Sequence, residues 1–157
     1  MTATSWTRAG DRLKSVLNGT IAGAIVTAKI DIEAVPSILV VEDDDNTRSI
    51  TARLLKLSGF DPLSVNTCAE ALIAAERRRF DLVLCDVGLS DGDGCELFRC
   101  LHEKYGVNGI AYTGHCMPQD AARAKAAGFT FHLLKPISYA DLLAAIRAVL
   151  AQGTGQN

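Results

Sequence analysis

A chain of 157 residues can build one full hydrophobic core and falls short of two ordinary domains. Hydrophobic residues at 48%, charged residues at 22% and a formal net charge of -2 describe a globular protein with no general attraction for nucleic acid or anionic membrane. The five cysteines, Cys68, Cys85, Cys95, Cys100 and Cys116, are odd in number and lack C-x-x-C spacing. That pattern argues against a zinc site or a disulfide framework and for a reducing, cytoplasmic setting, with Cys85 a small buried hydrophobe.

Residues 1–35 read as an N-terminal extension, Thr-rich at first and then rich in Ala, Gly and Ile. Gly23 and Lys29 interrupt its apolar part, which is far short of the roughly 20 residues a membrane span needs. Asp11 and Asn18 argue against a signal peptide. Residues 12–17 fit a short helix, and residues 20–32 fit a strand or a partner-binding segment.

A regular domain follows over residues 36–151, before a flexible polar tail at 152–157. Short apolar runs predict strands at 38–41, 62–65, 82–85, 109–112 and 131–134, and segments of helical period predict helices at 46–58, 68–78, 95–105, 118–127 and 139–151. Ile50, Leu54 and Leu57 recur at helical spacing, as do Leu142, Ile146, Val149 and Leu150, which predicts one buried face on each helix. Thr67 with Glu70 reads as a capping box, Ser138 as a cap and Pro118 as a first-turn residue. Gly59 and Gly128 mark helix ends, and Arg77 to Arg79 reads as a solvated helix terminus.

Five β-α units with near-continuous apolar strands imply a parallel sheet covered on both faces, an α/β fold. Right-handed crossovers then gather the C-terminal ends of the strands on one edge, where such sheets bind ligands. Glu42, Asp43, Asp86, Thr113 and Lys135 all fall on that edge. Three carboxylates against one ammonium leave the pocket short of about two positive charges, which one Mg2+ with its preference for oxygen ligands supplies. Asp86 is the best nucleophile: it ends a central strand, and the flexible stretch from Gly88 to Gly94 lets a phosphodonor approach. An ionised carboxylate attacks phosphorus without a general base, so catalysis reduces to positioning and charge neutralisation by the cation, Lys135 and Thr113.

Other readings of the same residues carry less. Asp44, Asp45 and Asn46 suit a helix N-terminus. Asp91-Gly-Asp93-Gly looks like a calcium loop, but Glu96 stands where that loop needs glycine and His102 where it needs its closing Glu, so a turn into a helix fits better. A nucleotide- or flavin-binding domain on a similar sheet would need a glycine-rich phosphate cradle, and the first strand runs into acids instead. A haloacid-dehalogenase-like phosphatase would need a second Asp two residues after the first, where this chain has Gly88.

Five motifs in order resemble the receiver domains of bacterial two-component response regulators, over Ser37 to about Leu150. They are Ile-Leu-Val-Val-Glu-Asp-Asp from Ile38, Asp-Leu-Val-Leu-Cys-Asp ending at Asp86, Gly-Asp-Gly from Gly92, Tyr-Thr-Gly from Tyr112 and Leu-Lys-Pro from Leu134. The resemblance implies a flavodoxin-like (βα)5 fold with strand order 2-1-3-4-5. It implies Asp86 as phosphoacceptor, Asp43, Asp86 and the Gly88 backbone carbonyl as Mg2+ ligands, Glu42 as a ligand through water, and Thr113 and Lys135 as phosphoryl contacts. The Lys135-Pro136 peptide would be cis.

It further implies a phosphoacceptor switch rather than an enzyme, with at most self-phosphorylation from small donors and self-dephosphorylation. The partners would be a sensor histidine kinase or histidine phosphotransfer protein and a downstream protein target, with no direct nucleic-acid or membrane contact and a dimer possible. Phrases such as Tyr-Thr-Gly-His are similar to receivers of hybrid kinases, and the chain reads as a stand-alone receiver in a phosphorelay. The signal would leave through residues 118–127, 131–134 and the last helix. In departure from the family, His132 stands at the aromatic switch position partnered with Thr113, and Gly88 and Ser90 replace bulkier or stiffer residues. These two replacements predict a loosened loop after Asp86, open to water, with His115 flanking the route.

Overall fold

The computed structural model describes residues 34–114 and 117–153. The apolar runs form five parallel strands, β1 (Ser37–Val41), β2 (Asp61–Val65), β3 (Leu82–Cys85), β6 (Asn108–Thr113) and β7 (Phe131–Leu134). Two further strands of two residues each, β4 (Gly88–Leu89) and β5 (Gly92–Asp93), pair antiparallel as a small hairpin. The sheet order is β2-β1-β3-β6-β7, the expected 2-1-3-4-5 once the hairpin strands are counted. Five helices separate these elements: α1 (Asp45–Leu57), α2 (Cys68–Arg77), α3 (Gly94–Tyr105), α4 (Pro118–Ala127) and α5 (Tyr139–Gly153).

Alternation along the strands divides the core. Leu39, Val41, Val83 and Cys85 face Ala71, Leu97, Phe98 and Leu101 of α2 and α3. Ile38, Val40, Leu82 and Leu84 face Leu55 of α1 and Leu142, Ile146 and Val149 of α5. Both faces of β1 and β3 are therefore buried, which is why these strands are apolar throughout. The last helix buries the predicted Leu142, Ile146 and Val149, while Leu150 is only partly covered.

The first helix differs from its predicted face. Thr51 and Leu55 turn inward, and Ile50 and Leu57 are 59% and 76% exposed. Both stripes have helical spacing, and the one carrying Thr51 lies against the sheet, so a hydroxyl takes a position that hydrophobicity alone assigns to isoleucine. The Thr67 hydroxyl accepts from the Glu70 N–H as a cap, but the Glu70 carboxylate accepts from the Asn66 N–H instead of closing the reciprocal box at Thr67. Arg78 is no solvated terminus: its guanidinium reaches the Ser37 hydroxyl and the Asp61 carboxylate, tying together the beginnings of β1 and β2.

Two glycines are required by close approach. A Cβ on Gly109 would lie 2.2 Å from the Phe98 ring, and one on Gly94 would lie 2.0 Å from the Asp86 carbonyl oxygen. Helix α4 is lightly anchored, burying only Ala124 and Ala127. The predicted helix at 12–17, the segment at 20–32, His115 and Cys116 lie outside the described residues. Among the described residues no helix is long and apolar enough to cross a membrane.

Candidate phosphoacceptor site

Glu42 follows β1, Asp86 follows β3, Thr113 ends β6 and Lys135 follows β7, so the parallel register brings all four to one sheet edge. Glu42 is fixed by its backbone: its N–H donates to the Val65 carbonyl, and its own carbonyl accepts from Arg48 Nη1 at 3.0 Å. Its side chain is 5% exposed, with Oε1 accepting from the Asp44 N–H at 3.1 Å. Asp44 in turn caps α1 through the Thr47 N–H, at 2.7 Å. This separates the acids by role: Asp44 serves the helix, while Glu42 and Asp43 are left to the pocket.

Carboxylate oxygens of Glu42, Asp43 and Asp86 all lie within 4.8 Å of one another. The Lys135 ammonium contacts Glu42 Oε2 and sits 3.2 Å from Asp86 Oδ2. The Lys135-Pro136 peptide is cis, as the resemblance implied. Burial pushes the Glu42 carboxyl above the ordinary glutamate range against the pull of Lys135. For Lys135, burial acts to lower the pKa, but the hydrogen bond to Glu42 and the charge of Asp86 outweigh it and the ammonium is held above its ordinary value. The donor set is all oxygen and carries more negative charge than Lys135 can neutralise, which fits a hard divalent cation.

Gly88 donates its N–H to Asp86 Oδ1 at 3.1 Å, so the backbone two residues on turns back over the carboxylate. Thr113 is 1% exposed, and its carbonyl accepts from the Lys135 N–H at 2.9 Å. His132 pairs with Ala111, which places it on the same sheet face as Ala111 and Thr113. Its Nε2 is buried with no hydrogen-bond partner among the described residues.

The stretch after Asp86 is not the loose loop that Gly88 and Ser90 suggested. It forms the β4–β5 hairpin, and two aspartates bolt it down. Asp91 accepts from the Cys68 and Ala69 N–H groups at the start of α2. Asp93 accepts from the Cys95 and Glu96 N–H groups at the start of α3 and pairs with Arg123 of α4. Sequence reasoning gave no role to Arg48, which holds the Glu42 carbonyl, or to Tyr112, quoted only within the Tyr-Thr-Gly motif, whose ring centre lies 4.8 Å from Lys135 Nζ.

The thiols nearby are unsuited to chemistry. Burial pushes Cys85 well up, and burial together with the charge of Asp91 pushes Cys68 up to about 11.

Residues 38–147 match the family model described as the response regulator receiver domain. The chain is 32% identical over 114 residues to the KDP operon transcriptional regulatory protein KdpE of Escherichia coli, across 73% of this chain and 51% of that protein. It thus spans about half the length of KdpE. It is 29% identical over 117 residues to the polar-differentiation response regulator DivK of Brucella anthropi, covering 73% of this chain and 95% of DivK. Among solved structures, a CheY-like receiver domain protein from Methanospirillum hungatei superposes with a TM-score of 0.76 at 28% identity, over 79% of this chain and all of that one.

Proposed function

The chain belongs to the response regulator receiver family of two-component systems, and from that premise we propose that Asp86 takes a phosphoryl group from phosphohistidine in a phosphorelay. The observation that carries this reading is the carboxylate of Asp86 at the end of a central strand, 3.2 Å from the Lys135 ammonium and beside Glu42 and Asp43. A carboxylate oxygen bonds to phosphorus as the P–N bond breaks, and the imidazole leaves with the electron pair and takes up a proton. Asp43, Asp86 and the Gly88 carbonyl, with Glu42 through water, would hold Mg2+, which would supply the positive charge that an anionic donor needs there. Lys135 holds a phosphoryl oxygen, and the Thr113 hydroxyl turns inward to donate to another. His132 on the same face then repacks into the space Thr113 leaves and passes the change to the surface.

The donor is a sensor histidine kinase or histidine phosphotransfer protein, and exposed Ile50, in the second turn of α1 whose start meets the pocket, gives it an apolar contact. The target is a protein that meets α4, β7 and α5, where Met117, Phe131 and Leu134 are exposed. The chain works in the cytoplasm, as one regular domain over residues 36–151. Small phosphodonors support self-phosphorylation, and water reverses it.

Incubation with acetyl phosphate and Mg2+ followed by intact mass tests the reading. The chain should gain one phosphoryl group, and Asp86→Asn should gain none. No gain in the wild-type chain from acetyl phosphate or from a phosphohistidine donor would refute it.

A further inference from the structure

The carboxylate of Asp93 has two partners on two different helices. Oδ1 accepts from the Cys95 N–H at 2.8 Å and the Glu96 N–H at 3.4 Å, capping α3. Oδ2 pairs with the Arg123 guanidinium on the second turn of α4. The residue after Asp93 is Gly94, whose N–H donates to the Val87 carbonyl at 2.8 Å and whose Cα leaves no room for a methyl group against the Asp86 carbonyl. A continuous path of contacts therefore runs from Arg123 through Asp93 and Gly94 to the backbone of Asp86.

Val87, Gly88, Thr113, Asp120 and Arg123 line a cleft of about 370 Å3 beside this path. Arg123 is the one cation among the described residues lining it, yet it is poorly placed to receive an anion. Asp93 holds one side of the guanidinium, and Asp120 lies 3.7 Å from Nη1 on the other. Two carboxylates cancel its charge toward the cleft. Its place is mechanical: α4 buries only two alanine side chains, and the tie to Asp93 adds to that light anchorage.

We propose that Arg123 is a positioning residue, tying α4 to the hairpin that follows Asp86 so that the placement of α4 and the reactivity of Asp86 are set together. The proposal rests on the phosphoacceptor reading of Asp86. With Arg123 and Asp93 side chains 49% and 34% exposed, the pair is screened by solvent and its effect is a modest one.

The experiment uses the full chain. Arg123→Gln removes the tie and leaves the α3 cap intact, while Asp93→Asn keeps an oxygen for the cap and removes the charge. Uptake of phosphoryl from acetyl phosphate with Mg2+ should slow severalfold at saturating donor in either variant, with the half-saturating donor concentration unchanged. The double variant should be no slower than the single ones, and Arg123→Lys should recover part of the rate. Hydrogen exchange in the unphosphorylated protein should quicken at the amides of residues 88–93 in Arg123→Gln. Wild-type uptake in Arg123→Gln with unaltered hairpin exchange overturns the proposal, as does an altered half-saturating concentration with unaltered exchange, which would make Arg123 a donor contact. If the wild-type chain takes up no phosphoryl group, the phosphoacceptor reading fails, and hairpin exchange alone then decides whether Arg123 positions the backbone after Asp86.

Discussion

Lys135 bridges the two acidic strand ends, its ammonium contacting Glu42 Oε2 and lying 3.2 Å from Asp86 Oδ2. One cation thus serves two carboxylates that would otherwise face each other, and it competes there with any divalent ion. Lys135→Gln should therefore have opposite effects on two measurements. Mg2+ should bind severalfold more tightly by calorimetry, because the ion no longer meets a fixed ammonium. Phosphoryl uptake followed by intact mass should fall by about 100-fold, the scale on which a lost charge-stabilising donor slows a reaction. Weaker Mg2+ binding in the variant would contradict this account of the pocket.

Asp43 adds charge to a site already rich in it. Carboxylates within 4.8 Å of one another repel by about 3 kcal/mol at an effective dielectric of 20, and partial exposure of Asp43 reduces that to about 1 kcal/mol. Asp43→Ala should raise the melting temperature without metal by about 4 °C. Added Mg2+ should stabilise the wild-type chain and do little for the variant, as thermal unfolding with and without the ion will show.

Gly94 and Gly109 make a matched pair of substitutions. A methyl group on Gly109 would strike the Phe98 ring, and one on Gly94 would strike the Asp86 carbonyl. Each alanine variant should lose about 1 to 3 kcal/mol by denaturant unfolding, the range for overpacking. Only Gly94→Ala should also slow phosphoryl uptake at a temperature where both variants are folded, since only it displaces the backbone of the nucleophile.

Much of this was legible beforehand, and the reason lies in which signals are local. The strands β1 and β3 are buried on both faces, so their residues announce themselves as unbroken apolar runs, and the acids at their ends follow directly. The hairpin at residues 88–93 was invisible because strands of two residues containing glycine have no period to read. The role of Asp91 depends on the Cys68 N–H 23 positions earlier, and that of Asp93 on Arg123 30 positions later. Such partners are fixed by topology and leave no trace in spacing. The face of α1 was misread for a related reason: Ile50 and Thr51 head competing stripes, and only packing against β1 and β2 decides between them.

The Asp91 cap gives a pH dependence with a definite sign. The backbone N–H groups of Cys68 and Ala69 hold its carboxyl below the ordinary aspartate range. Its contribution to stability is therefore present above the ordinary aspartate pKa and is lost as pH falls through the lower folded value. Asp91→Asn keeps an acceptor but not the charge, so it should be less stable than wild type near neutrality. Urea midpoints measured from about pH 6 down to about pH 2 should converge, since protonation removes the charge from the wild-type chain as well. A gap that stays constant would mean that the charge of Asp91 is not what matters.

The crowding of Glu42, Asp43 and Asp86 on one rim also governs encounters before any bond is made. Until a divalent ion fills the site, an acyl phosphate arriving from solution is itself negative and meets an opposing field, so background electrolyte, by shortening the reach of that field, speeds its arrival. A donor protein that brings a cationic face to the same rim is drawn in by the field, and electrolyte slows it. Ionic strength thus separates the two classes of donor by the direction in which it moves their association rates.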